Sequence, residues 1–162
     1  ILMLDDQDIA EIGKNAFLAI NPAEPIARSS SVQGNTVMSF VSHNGFRKLY
    51  PSLIINRKID IDLDRDEFLC RDWPNETKAQ LYKRRFHLGF EPVSQDYLST
   101  NALVLTDTDN NHRTFSWDPT GTAELQKVPH FETYGKASTG ICLTLENTNF
   151  NDTMWFKICP KT

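Results

Sequence analysis

The sequence predicts a mainly β domain, a sandwich or barrel-like antiparallel sheet, with one short N-terminal α-helix packed on it. Three observations carry this. Apolar residues recur with period two in most of the runs after residue 36. Short polar turns separate those runs. A single stretch before residue 21 carries a helical period instead.

The helix is expected over residues 5–20. Ile9, Ile12, Ala16, Phe17 and Ile20 fall on one face at i, i+3, i+4 spacing. Asp5 and Asp6 precede that stripe, where carboxylates satisfy free N–H groups and complement the helix dipole. Asn21-Pro22 ends it, because proline cannot donate the next hydrogen bond. Phe17 is the residue expected to anchor this helix on a sheet.

The β-rich part is expected over residues 36–159. Thr36–Val41 is β-branched and aromatic. Ile59, Ile61 and Leu63 alternate with Lys58, Asp60 and Asp62, the pattern of a half-solvated strand. Phe86, Leu88 and Phe90 alternate with Arg85, His87 and Gly89. Ala102–Thr106 is apolar, and Arg113, Phe115 and Trp117 alternate with Thr114 and Ser116. Ile141–Leu145 and Met154–Ile158 alternate likewise. Two pairs are close enough to be hairpins, 102–106 with 113–117 and 141–145 with 153–158. Residues 75–83 read as either a short helix or a lead-in to a strand. With no repeat and no linker, residues 1–162 read as one globular domain.

Composition narrows function mainly by exclusion. The net charge is −4, which gives no general pull toward nucleic acid or an anionic membrane. No apolar run is long enough to span a bilayer. There is no P-loop and no dinucleotide fingerprint, so no cofactor is expected. Cys70, Cys142 and Cys159, set against His43, His87, His112 and His130, show no nucleophile motif.

The candidate sites are few. Arg71, Lys78, Lys83, Arg84, Arg85 and His87, with Tyr82 and Phe86 interleaved, form a basic–aromatic cluster suited to phosphates and rings. A solvated strand face neutralised by Asp60–Glu67 is its plainer reading. Trp73, before Pro74 in a polar stretch, and Trp155, opposite the apolar face of its strand, are candidate contact residues, with burial under a second layer as the plainer reading. The candidate binding set is therefore Arg71, Trp73, Lys83, Arg84, Arg85 and Trp155. Two acidic stretches could attract calcium: Asp60, Asp62, Asp64, Asp66 and Glu67, and the run Asp107, Asp109, Asn111. Neither has glycine where a calcium loop turns sharply, so a polar strand face and a plain hairpin turn are preferred. Asn75 and Asn151 open glycosylation triplets.

If any disulfide forms, Cys70 is expected to be a member. In the hairpin of 141–145 with 153–158, Cys142 and Cys159 would not face each other, and disulfide reach is short. Cys159 is the better partner for Cys70, because a bridge would tie down the chain end. Three reduced thiols are the alternative. A bridge would place the protein in an oxidising compartment.

Two family resemblances follow from these segments. Phe115–Ala123, Ile141–Leu145 and Met154–Ile158 together resemble the closing strands of minor pilins and pseudopilins. That resemblance covers less than a third of the chain and implies an extracytoplasmic filament subunit without catalytic residues. Leu103–Asn111 resembles the internal Thr-Asp motif of lipocalins, and Cys70 and Cys159 lie roughly where a lipocalin's barrel-to-tail disulfide would. That resemblance implies a β-barrel with a ligand pocket.

The function expected from the sequence is a non-catalytic recognition or assembly domain displayed outside the cytoplasm, its partner another protein or a second copy. A small-molecule carrier with a lipocalin-like barrel, taking a small apolar ligand, is the second reading. An enzyme whose residues converge only in the fold is the third.

Overall fold

The computed structural model describes residues 2–8, 11–12, 19–20, 23–76, 81–88, 90–133, 136–148 and 153–160. In chain order the strands are β1 (Leu2–Leu4), β2 (Gln7–Asp8), β3 (Glu11–Ile12), β4 (Ala19–Ile20), β5 (Pro25–Gln33), β6 (Thr36–His43), β7 (Ile55–Asp62) and β8 (Glu67–Pro74). They continue as β9 (Tyr82–Leu88), β10 (Ser94–Ser99), β11 (Ala102–Thr106), β12 (His112–Trp117), β13 (Gly121–Thr133), β14 (Lys136–Asn147) and β15 (Met154–Pro160). They form an eight-stranded sheet, β10-β11-β12-β15-β8-β7-β6-β5, a five-stranded sheet, β13-β14-β9-β1-β2, and the small pair β3-β4. Every pairing is antiparallel.

The expected N-terminal helix is corrected. Among the described residues there is no helix, and the segment contributes β1 to β4 instead. Asp5 and Asp6 do not cap a helix. Both have positive φ, 47° and 61°, and make the two-residue turn that pairs Leu4 with Gln7. Aspartate tolerates that left-handed backbone, and two such residues in a row give the turn that suits a twisted hairpin. Ile12 and Ile20 lie in β3 and β4. Ile9, Ala16 and Phe17 lie outside the described residues.

The two larger sheets pack face to face. Leu103, Leu105, Phe115, Trp117 and Phe156 from the larger sheet meet Leu143 and Leu145 from the smaller. Phe86 of β9 stacks on Phe156 with ring centroids 4.1 Å apart. A second core joins Leu4, Phe46, Leu53, Ile55, Tyr82 and Met154. Burying side chains of this size contributes about 1.5–3 kcal/mol each. Two prolines sit where a missing N–H costs little. Pro129 is on the edge strand β13, and Pro25 is on the edge strand β5, beside a bulge.

One hairpin has the expected form: β11 pairs with β12, Leu103 opposite Phe115. The other is corrected, because β14 and β15 belong to different sheets. Length explains the error. β14 runs back along β13 from Gly121↔Asn147 and pairs with β9 on its other edge, which leaves no edge for β15, and β15 inserts between β12 and β8. At that first pair Gly121 is needed for space, since a Cβ there would come within 2.8 Å of the Asn147 amide.

The expected disulfide is corrected as well. Cys70, Cys142 and Cys159 are all free thiols. Cys70 sits opposite the buried Phe156, on the inner face of the larger sheet. Cys159 is three residues further along β15 and so points to the other face. A bridge would have to pass through the sheet. The oxidising compartment inferred from that bridge loses its support.

Candidate functional site

Strand alternation sorts the candidate residues onto different surfaces. On β8, Phe68, Cys70 and Asp72 face the five-stranded sheet, so Glu67, Leu69, Arg71 and Trp73 face outward. On β15, Met154 and Phe156 face inward, so Trp155 and Lys157 face outward. Trp155 is the register partner of Arg71, Arg71 of Lys58 on β7, and Lys58 of Phe40 on β6. A row therefore crosses four strands of the outer face: Phe40, Lys58, Arg71, Trp155. Three interstrand spacings make it about 14 Å long. An adjacent row, Ser42, Asn56, Trp73, is parallel to it.

These rows hold their shape through local contacts. The Phe40 and Trp73 rings are 6.0 Å apart and tilted by 32°. Ser42 donates to Asn56 Oδ1 at 2.7 Å, and Asn56 Nδ2 donates to the Trp73 carbonyl at 3.3 Å. Arg71 Nη1 lies 2.6 Å from Asp60 Oδ2, and Lys58 Nζ lies 3.2 Å from Asp60 Oδ1. Lys157 Nζ reaches Glu67 at 2.8 Å. Two cations thus share one carboxylate, between aromatic rings at either end. Chemically the face offers charged donors and half-buried ring faces, a set suited to an anionic ligand with flat apolar surfaces.

The other basic candidates are not part of it. Lys83 and Arg85 alternate with the inward residues of β9 and lie on the outer face of the five-stranded sheet. Lys83 is tied to Asp6 at 2.7 Å and Glu146 at 3.3 Å. Arg84 is fully buried between the sheets, donating from Nη2 to the Trp155 carbonyl at 3.3 Å. Below the outer row, Arg57 forks onto the buried Asp72 at 2.7 and 3.0 Å. Burial opposes the Arg57 charge, but the Asp72 hydrogen bonds and charge outweigh it and raise the Arg57 pKa. Lys58, Asn56 and Phe40 were missed by the sequence reading. The signal was the outer half of the period in β6 and β7, which becomes a site only once β8 and β15 are their neighbours.

The remaining groups of interest lie apart from this face. Asp107, Asp109 and Asn111 form the hairpin turn, with Asp107 Oδ1 accepting from the N–H groups of Asp109 and Asn111, each at 2.9 Å. Among the described residues no group of three or more His, Cys, Asp and Glu could hold a metal ion. His43 sits at the end of β6 and accepts a hydrogen bond at Nδ1 from Gly45 N–H at 3.1 Å. Its pKa is lowered by burial and by the Arg57 charge. His112 Nδ1 meets the Thr106 hydroxyl at 2.9 Å. Among the described residues no helix is long and apolar enough to cross a membrane.

No known family's sequence model matches the chain, and no curated protein matches it by sequence. Solved structures do match by fold. One is the heparan sulfate lyase HepC from Pedobacter heparinus, at TM-score 0.72 and 14% identity, covering 98% of this chain. A heparinase III matches at TM-score 0.66 and 16% identity over 98% of the chain. A further heparinase III matches at TM-score 0.69 and 8% identity over 99%. The chain spans 23% of the length of each of these structures. The shared property is the fold. The non-catalytic recognition or assembly domain is thereby corrected, since this architecture forms part of carbohydrate-degrading enzymes. The carrier reading falls too, because among the described residues the two larger sheets end at β5, β10, β13 and β2 instead of closing into a barrel.

Proposed function

We propose that this chain is the β-sandwich portion of a polysaccharide lyase, and that the outer face of its larger sheet holds an anionic, sulfated polysaccharide. The observation that carries the reading is the row Phe40, Lys58, Arg71, Trp155 on a fold shared with heparan sulfate lyases. Sulfate and carboxylate groups suit the guanidinium and ammonium donors, and sugar rings suit the indole faces. A location outside the cytoplasm, where such polymers are met, belongs to the same reading.

Titration of the chain with a heparan sulfate oligosaccharide, followed by tryptophan fluorescence and by calorimetry, tests this. Binding should weaken steeply with salt, as for any polyanion held by several cations. The double variant K58A/R71A should lose most of it, and W155A should lose the fluorescence change. K83A/R85A, on the other sheet, should bind as the parent does. No binding by the parent, or loss only in K83A/R85A, rules out this face.

A further inference from the structure

Asp60 stands between the two cations of the outer row with one carboxylate oxygen on each, Oδ2 at 2.6 Å from Arg71 Nη1 and Oδ1 at 3.2 Å from Lys58 Nζ. It lies on the outer face because it is two residues along β7 from Lys58. Its own register partners are Met38 on β6 and Leu69 on β8, neither of which competes for its charge. Lys157, another cation on this face, is held by Glu67.

Lys58 and Arg71 are also direct cross-strand partners. Like charges facing each other in that way repel. A bridging carboxylate relieves the repulsion, so the empty face needs Asp60 where it is. The side chains of Lys58 and Arg71 are 39% and 38% exposed. Exposed pairs of this kind are weak, and water and salt compete with them readily. The bridge therefore holds the cations in position while remaining easy to displace.

From this geometry we infer that Asp60 is a specificity-determining residue: it occupies the anion seat of the polysaccharide-binding face and yields only to a ligand group with two anionic oxygens. The inference rests on the proposed polysaccharide reading of this face. A sulfate or uronate group can take both positions that Asp60 vacates. A neutral polymer cannot, and would leave two facing cations unneutralised. The residue thus excludes uncharged glycans and lowers the affinity for charged ones.

The test compares the parent chain with D60N and D60S, using a heparan sulfate oligosaccharide and dextran as the neutral control. Both substitutions are small and partly exposed, and thermal melting checks that each variant folds. D60N and D60S should bind the sulfated oligosaccharide about fivefold more tightly, the equivalent of one exposed ion pair. Their affinity should also fall more steeply with salt, because both cations are then free to release counterions. Dextran should not bind the parent. Equal or weaker binding of the oligosaccharide by both variants, with the parent binding normally, overturns the role of Asp60. If neither parent nor variant binds, the polysaccharide reading itself fails and this inference with it. Tight dextran binding by the parent also overturns it.

Discussion

Asp72 Oδ2 lies 3.8 Å from Arg84 Nη1, and both side chains are shut off from solvent. The pair crosses the sandwich, Asp72 coming from the larger sheet and Arg84 from the smaller. Arg57 forks onto the same carboxylate, so two guanidinium groups share one buried anion. The strands they fix are those of the outer face. Asp72 sits between Arg71 and Trp73, and Arg84 holds the carbonyl of Trp155.

Removing the anion should therefore be worse than removing the inner cation. Asp72→Asn leaves Arg57 and Arg84 facing each other uncompensated, and should cost about 3–5 kcal/mol. Arg84→Met keeps the Arg57–Asp72 fork and should cost less, chiefly the hydrogen bond to Trp155, about 1 kcal/mol. Urea unfolding of both variants measures the difference. A larger loss in Arg84→Met would mean that the inter-sheet pair, and not the charge balance, dominates this core.

Stability should fall as the medium becomes acidic, and His43 should be one cause. Its folded pKa lies below the usual histidine value because burial and Arg57 disfavour its charge. Between the folded and unfolded pKa values the unfolded chain binds more protons. The stabilisation is therefore complete above the unfolded value, about 6.5, and is lost as pH drops through the folded one. His43→Gln keeps an acceptor for Gly45 N–H without titrating. Its stability should change less between pH 7 and pH 5 than the parent's. Parallel curves for parent and variant would remove His43 from the account.

The three thiols should differ in reactivity. Burial and the nearby Asp72 charge push the Cys70 thiol up to about 11, so little thiolate exists at neutral pH. Cys142 is also buried, whereas Cys159 is only half-buried. Alkylation at pH 8 followed by peptide mapping should label Cys159 first, and label Cys70 and Cys142 only on unfolding. Recovery of a Cys70–Cys159 disulfide from the native protein would contradict the placement of these residues on opposite faces.

β6, β7, β9, β12 and β15 were legible because period-two alternation is a local property of the backbone, whereas β8, β10 and β13 were not read as strands. In a strand, each residue reports which of two faces it occupies, whatever lies beyond. Ile59 and Ile61 against Lys58 and Asp60, or Phe115 and Trp117 against Thr114 and Ser116, are readable without a partner strand. The same property placed Trp155 opposite the apolar face of its strand, whereas Arg71 and Trp73 were singled out by charge and residue type alone. The N-terminal stripe misled, because over a few residues isoleucines at spacing three and four fit a helix face as well as short strands. The turn at Asp5-Asp6 was the local signal that could have decided it.

Which strands become neighbours is not a local property. The partners of β14 and β15 depend on pairings between residues far apart in the chain, and 141–145 with 153–158 is as plausible in sequence as the pairing found. Alternation divides the basic run at residues 83–85 in two, Lys83 and Arg85 on an outer face and Arg84 in the core. Strand order is why Lys58, Asp60 and Arg71 meet although two different strands carry them. By itself the sequence determined the β class and the positions of β6, β7, β9, β11, β12, β15 and part of β14. Only the tertiary structure decided that β6, β7, β8 and β15 lie side by side, because long-range strand order is set by how two sheets bury their inner faces together.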